Sequence, residues 1–303
     1  MRAASLNYRD LMMVEGRYNP RQPLPLVPCS DGVGEVLAVG SAVRGFAVGD
    51  RVCPIFAPRW LAGEPDRERL RATLGGPLDG TLREKMTVAA ESVVRPPAHL
   101  DDAEAATLPC AAVTAWSALV GQGRLHAGET VLVLGTGGVA LFALQIALLH
   151  GARVIVTSSS DEKLARVRAM GAWETVNYAR EKAWAKRVRE LAGDGVDHVV
   201  EVGGAGTLPE SLRAVRMGGT IHLIGVLAGG EASLLLAPIF MQQVRVQGVL
   251  VGHKESFEAL NRALALHQVR PVVDRTFAFD EVPAAFDSLA SGAHFGKVCV
   301  ALA

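Results

Sequence analysis

Residues 131–149 read VLVLGTGGVALFALQIALL, an apolar run interrupted by Gly135, Gly137 and Gly138. The TVLVLG half has the composition of a buried strand. The following GVALFALQIALLHG carries Leu141, Leu144 and Leu148 at helical spacing, as core residues. The glycines therefore stand at a strand-to-helix turn in the pattern G-x-G-x-x-A, with Ala140 as the third small residue. The first glycine permits the tight turn, the second clears the path of a pyrophosphate, and the third position lets helix and strand pack closely. The helix start then presents free N–H groups and a positive dipole to phosphate. Residues 130–152 carry no Asp, Glu, Lys or Arg and are long enough to span a bilayer. The glycines split that run into a strand and a helix too short to cross, so it reads as buried core and not as a membrane segment.

Working outward, the same rhythm continues toward the C-terminus. RVIVTSS leads into DEKLARVRAMG, a helix lies near KAWAKRVRELAGDG, and VDHVVEVGG, TLPESLRAVRMGG, TIHLIGV and VRVQGVLVG follow. Strands alternating with helices at this spacing predict an α/β domain with a doubly wound parallel sheet, the Rossmann arrangement. Upstream, residues 33–96 hold short β-type runs (GVGEVLAVG, DRVCPIF, REKMTVAA) punctuated by Gly, Pro and Asp, which predicts a mainly β region. The polar insert APRWLAGEPDRERLRATLGGPLDG reads as a long surface excursion between strands. After Gly252 come an amphipathic helix (SFEALNRALALHQ), TFAF, a second helix at EVPAAFDSLASG and a closing strand KVCVAL, a tail that returns to the first domain. The expected division is residues 1–110, completed by 266–303, and residues 111–265.

Composition agrees with two folded domains. The chain has 303 residues, 50% apolar and 20% charged, with 31 basic and 31 acidic side chains. This balance advertises no nucleic-acid partner. Cys29, Cys53, Cys110 and Cys299 are scattered, without a C-x-x-C pair or a histidine at ligand spacing. They read as buried thiols in a reducing, cytoplasmic compartment. The opening MRAASLNYRD lacks the apolar core of a signal peptide. None of the eight histidines is assigned a catalytic role.

The second strand of the alternating series bears on the cofactor. About twenty residues past the glycines, an NAD site places an acid that accepts from the ribose 2′-hydroxyl. Here the stretch reads TSSS, with Ser158 at that place, Ser159 beside it and Lys163 one turn into the next helix. A hydroxyl does not repel a 2′-phosphate and the lysine attracts it, so the expected cofactor is NADP, with NAD the alternative. Ser160 and Asp161 also serve as a helix start.

With these residues in view, the chain resembles the medium-chain dehydrogenase/reductases, specifically the zinc-independent branch of quinone oxidoreductases and alcohol dehydrogenase-like proteins. ASLNYRDLMMVEG, SDGVGEVLAVG, FAVGDRV, AATLPCAAVTAWSAL, GTGGVALFALQ, TSSSDEKL, VDHVVEVGG and HFGKVCV match its pattern in order. The resemblance implies a GroES-like, mainly β catalytic domain beside the Rossmann domain. The family's leading strands precede A-S-L-N-Y, where this sequence starts, so either the catalytic domain lacks them or the sequence is a shortened one. Zinc-using relatives place Cys where Asn7 stands and His-Glu where Ser30 and Asp31 stand; Asn and Ser are poor zinc ligands, so no metal is expected.

The resemblance further implies catalytic roles for Asn7, Tyr8 and Asp10 in the N-Y-R-D turn and for Thr114. It assigns cofactor contacts to Gly135, Gly137, Gly138, Val139, Ser158, Ser159, Lys163, Tyr178, Gly203, Gly225, Val249, Val251 and Lys297. The expected activity is NADPH-dependent hydride transfer to a small quinone, enone or activated carbonyl. The alternatives are an NAD(P)-dependent alcohol dehydrogenase and a nucleotide-binding protein without catalysis. VRVQGVLV, as a final apolar edge strand, predicts a homodimer.

Overall fold

Elements follow the chain in this order: β1 (Ala3–Ser5), α1 (Tyr8–Val14), β2 (Asp31–Glu35), β3 (Arg51–Pro54), α2 (Arg67–Leu70), β4 (Val93–Val94) and α3 (Asp102–Ala106). A helical run comes next, in which α4 (Val113–Trp116) lies between wider π turns at Leu108–Ala112 and Ser117–Gln122. The alternating series is β5 (Thr130–Leu134), α5 (Gly138–Leu149), β6 (Arg153–Ser158), α6 (Asp161–Ala169), β7 (Glu174–Asn177), α7 (Trp184–Ala192) and β8 (Val196–Glu201). It continues through α8 (Leu208–Ala214), β9 (Val215–Leu223), α9 (Ala237–Met241) and β10 (Arg245–Gly248). The tail supplies α10 (Lys254–His267), β11 (Val273–Phe277), α11 (Val282–Ala290) and β12 (Lys297–Ala301). This is a computed structural model, and it describes residues 1–302.

The chain divides into two units, residues 1–113 with 251–303 and residues 114–250. The first holds a mixed six-stranded sheet in the order β11-β12-β1-β2-β3-β4. β1 runs antiparallel to both neighbours, with Ser5 opposite Cys299 on one side and Asp31 on the other. The C-terminal strand is thus locked against the N-terminal one, and their shared apolar face packs Ala4, Leu6, Leu11, Phe277, Phe286, Val298 and Val300 into one cluster. The expected division puts most of α10 with the nucleotide domain, whereas by contacts the helix groups with this unit. Its first turn donates backbone N–H groups to the Trp60 and Leu61 carbonyls, and Asn261 donates to the Arg95 carbonyl at 2.9 Å. The run REKMTVAA forms no strand, because residues 84–89 lie mostly exposed and only Val93–Val94 find a partner in β3.

The second unit is an all-parallel sheet in the order β10-β9-β8-β5-β6-β7. β5 is buried along its whole length, as a central parallel strand covered on both faces must be. Leu132, Ile155, Val199 and Ile221 are fully buried in its core, each contributing about 1.5–3 kcal/mol relative to exposure. α5 is apolar on nearly every face and correspondingly buried. The chain turns from β5 to β6 on one side and places β8 on the other, so the ends of β5 and β8 flank the topological switch point where such sheets bind ligands. Among the described residues, no helix is long and apolar enough to cross a membrane.

Candidate active site and cofactor loop

In the second unit, Gly135 follows β5 at φ +80°, donates its N–H to the Thr157 carbonyl at 2.9 Å, and would place a Cβ in open space. Backbone conformation alone therefore demands glycine there. Gly137 is the N-cap of α5 in an extended conformation, with no side chain capping the helix. The first-turn groups of Gly138, Val139 and Ala140 thus have no side-chain acceptor supplied by their own cap, whereas α6 is capped by Ser160, which accepts from the Lys163 N–H at 3.3 Å. A helix start of this kind fits a diphosphate.

Ser158, buried at the end of β6, accepts from the Ser160 N–H at 3.2 Å, and Ser159 is exposed beside it. Tyr178 donates its N–H to the Ser158 carbonyl at 3.1 Å and leaves its ring exposed, while Lys163 is half-buried on α6. No acid side chain occupies the end of β6; the nearest in sequence, Asp161, pairs with Arg180 and accepts from Asn177. Gly203 and Gly225 follow β8 and β9, and Val249 is buried just after β10, donating its N–H to the Leu223 carbonyl at 3.0 Å. Thr114 is buried in α4, next to the π turns.

Glu201 is a residue the sequence reading missed. Fully buried at the end of β8, its carboxylate accepts from the Gly203 N–H at 2.8 Å, the Gly204 N–H at 3.0 Å, the Thr207 hydroxyl at 2.5 Å and the Ser211 hydroxyl. One buried acid thus shapes the loop at the carboxyl edge of the sheet. The pattern E-x-G-G followed by Thr and Ser was the available signal.

The first unit gathers a second group of polar residues. Asn7 opens α1, and Asp10 reaches back to accept its N–H at 2.8 Å. The Asn7 side-chain oxygen accepts from the Lys297 ammonium at 2.6 Å, and the Leu6 carbonyl accepts from the same ammonium at 2.5 Å. Lys297, assigned to the cofactor by resemblance, is 4% exposed with its ammonium committed to these two oxygens. Val251, assigned there too, clusters with this unit and sits buried at φ +50°, a strained conformation for a β-branched residue. Tyr8 packs against the apolar cluster of Leu6, Leu11 and Phe286.

Asp31 and Asp10 are fully buried. Burial raises the Asp31 pKa, opposed first by Lys297 and then by the Asn7 amide, the Ser30 hydroxyl and the Cys110 N–H. Ser30 donates to Asp31 Oδ1 at 2.8 Å and Cys110 N–H to Oδ2 at 3.2 Å. Burial likewise lifts Asp10 to about 6, with Arg9 the largest opposing influence and Asp31 adding to the rise. The thiols of Cys29 and Cys110 are pushed up, chiefly by burial and then by the neighbouring carboxylates.

The segment carrying these groups is held by its neighbours. Cys29 lies at φ +69°, and a Cβ on Gly80 would stand 1.9 Å from the Cys29 carbonyl oxygen. Thr81 donates its N–H to that same oxygen and its hydroxyl to the Asp31 carbonyl at 2.7 Å. Arg9, a further residue missed in the sequence, ties α1 to the same loop by donating to the Leu74 and Gly76 carbonyls, both at 2.6 Å. Asp31 was recognised only as a departure from a metal ligand, yet it is the hub of the cluster.

The parallel sheet with its glycine turn after β5 is the fold of a dinucleotide-binding domain. Residues 1–98 match the alcohol dehydrogenase GroES-like domain and residues 138–265 the zinc-binding dehydrogenase domain. A zinc-type alcohol dehydrogenase-like protein of Schizosaccharomyces pombe is 42% identical over 98% of this chain and 88% of its own length. An acryloyl-coenzyme A reductase of Metallosphaera sedula is 32% identical over 98% and 90% respectively. A solved structure of an NAD-dependent alcohol dehydrogenase is 34% identical, covers 100% of this chain and 90% of that one, and superposes with a TM-score of 0.91. The chain belongs to the medium-chain dehydrogenase/reductase family, among its alcohol dehydrogenase-like members, and is an NAD(P)H-dependent oxidoreductase.

The family includes zinc users, but the donor atoms here are already engaged within the protein. Asn7 Oδ1 already accepts from an ammonium, Ser30 offers a hydroxyl engaged with Asp31, and both Asp31 oxygens accept hydrogen bonds. Among the described residues, no group of three or more His, Cys, Asp or Glu side chains is arranged to hold a metal. A zinc site needs thiolate, imidazole or carboxylate ligands around an open position; these residues do not fit it.

Proposed function

We propose that this chain is a zinc-independent, NADPH-dependent reductase of small quinones, enones or activated carbonyls. The observation that supports it most is the Lys297 ammonium bonded to Asn7, at a position where zinc-using relatives carry a ligand. With no Lewis acid to polarise the substrate oxygen, the reaction favours substrates already activated by conjugation. The similarity to an acryloyl-coenzyme A reductase, an enzyme named for a conjugated substrate, agrees with this.

The loop from Gly135 to Val139 would hold the diphosphate, with Ser158, Ser159, Lys163 and Tyr178 at the adenosine end and Gly203, Gly225 and Val249 along the carboxyl edge. Bound there, the reduced nicotinamide supplies hydride. In the first unit, Asn7 offers its amide N–H groups to the substrate oxygen, Asp10 holds the Asn7 backbone, and Tyr8 offers a hydroxyl; in the second, Thr114 supports the nicotinamide. NADPH consumption with quinones or enones in metal-free buffer tests the proposal, and Lys163→Ala should weaken NADPH about tenfold while leaving NADH unchanged. Activity lost to chelators and restored by zinc would overturn it.

The NAD-dependent relative favours a second reading, oxidation of an alcohol with NAD. Equal affinity for the two cofactors and faster alcohol oxidation than enone reduction would select it. We also propose that the protein works as a homodimer joined along the β10 edge.

A further inference from the structure

Lys297 opens β12, yet its side chain is buried, and its ammonium donates to two neutral oxygens, of Leu6 and Asn7. A buried cation is costly unless balanced. The balance comes from Asp31 and Asp10, both fully buried, whose charged forms the ammonium favours. The thiols of Cys29 and Cys110 feel the same positive charge.

An ammonium has three donors and no acceptor. The Asn7 atom facing it must therefore be oxygen, and the side-chain amide cannot turn over. Asn7 Nδ2 is buried with no well-formed hydrogen bond, and although the amide helps to hold the Asp31 carboxylate ionised, at least one of its two N–H groups faces no acceptor. Unsatisfied buried donors of this kind cost about 1–3 kcal/mol and call for an explanation.

We propose that the Lys297 ammonium is the resident cation of this pocket, standing in for the metal of zinc-using relatives, and that it fixes Asn7 with its amide nitrogen toward the substrate oxygen. Lys297 is then a positioning residue, acting through Asn7. The inference rests on the zinc-free reading above.

The test compares the full-length protein with Lys297→Met and with the double variant Lys297→Met/Asp31→Asn. After incubation with zinc chloride and desalting, the wild type should retain no stoichiometric zinc by elemental analysis. Lys297→Met should melt well below the wild type, and adding Asp31→Asn should recover most of that loss, because the orphaned carboxylate is then neutral. The recovered double variant should bind NADPH as the wild type does yet turn over an enone about tenfold more slowly, with the loss in kcat and not in KM. In an Asn7→Leu background, Lys297→Met should lower kcat no further. Stoichiometric zinc in the wild type, additive losses in melting temperature, or full turnover by the double variant would each overturn the proposal. If the wild type reduces no enone or quinone, the functional reading fails while the zinc content and the melting cycle still decide the role of Lys297.

Discussion

Two buried side chains give the protein opposite responses to acid. Asp10 has its pKa lifted to about 6 from an ordinary 3.8, chiefly by burial. Between those values the folded state holds a proton the unfolded state has released, so stability falls as pH rises through the window, by about 3 kcal/mol in total. His222 behaves the other way. Burial, followed by the electrostatic influence of the neighbouring His198 and then of Arg245, depresses it from 6.5 to about 3. It stacks on His198 with ring centroids 5.3 Å apart, and His198 in turn lies 3.1 Å from a Glu129 carboxylate oxygen. Here the unfolded state binds the extra proton, so stability falls as pH drops below 6.5, by about 2 kcal/mol between pH 6.5 and 5. In the wild type the slopes oppose each other from about pH 4 to 6. Urea titrations at several pH values should therefore show Asp10→Asn gaining stability steadily with pH, and His222→Phe losing it. Parallel profiles for wild type and both variants would refute the assignment.

At the scale of elements, what was legible followed from periodicity and from glycine. The parallel sheet was readable because central strands such as β5 are apolar throughout and each is followed by a helical pattern. Gly135 was readable because its conformation admits little else. The charged hubs were not, because Asp31, Lys297 and Glu201 acquire their roles from residues far away in sequence, and a lysine after HFG looks like any exposed lysine. The boundary near α10 was not legible for the same reason: its amphipathic pattern says that one face is buried, not against which unit, and by contacts the helix groups with the first unit. Glu201 offers a direct check on such a hub. A glutamine there keeps one acceptor but turns an NH2 group toward donors, so Glu201→Gln should lower stability by about 1–3 kcal/mol. It should also weaken NADPH binding by loosening the loop at Gly203, seen together in thermal melts and cofactor titration. Unchanged cofactor affinity in a destabilised variant would confine Glu201 to folding.

For the whole molecule, the parallel sheet ends in β10, whose residues lie largely exposed. The segment beside it exposes Leu235, Leu236, Phe240 and Met241, with Phe240 and Met241 each 69% accessible. An open strand edge next to four exposed apolar side chains is an aggregation hazard unless another chain covers it. A two-fold axis at this edge would pair β10 with its copy and continue the sheet across both subunits, closing the edge and burying the four side chains together. Light scattering at micromolar concentration should accordingly give a dimer. The double substitution Phe240→Asp/Met241→Asp should convert it to a monomer that still binds NADPH, since neither residue belongs to the loop at Gly135. A wild-type monomer, or a dimer that survives both charges, would place the contact elsewhere.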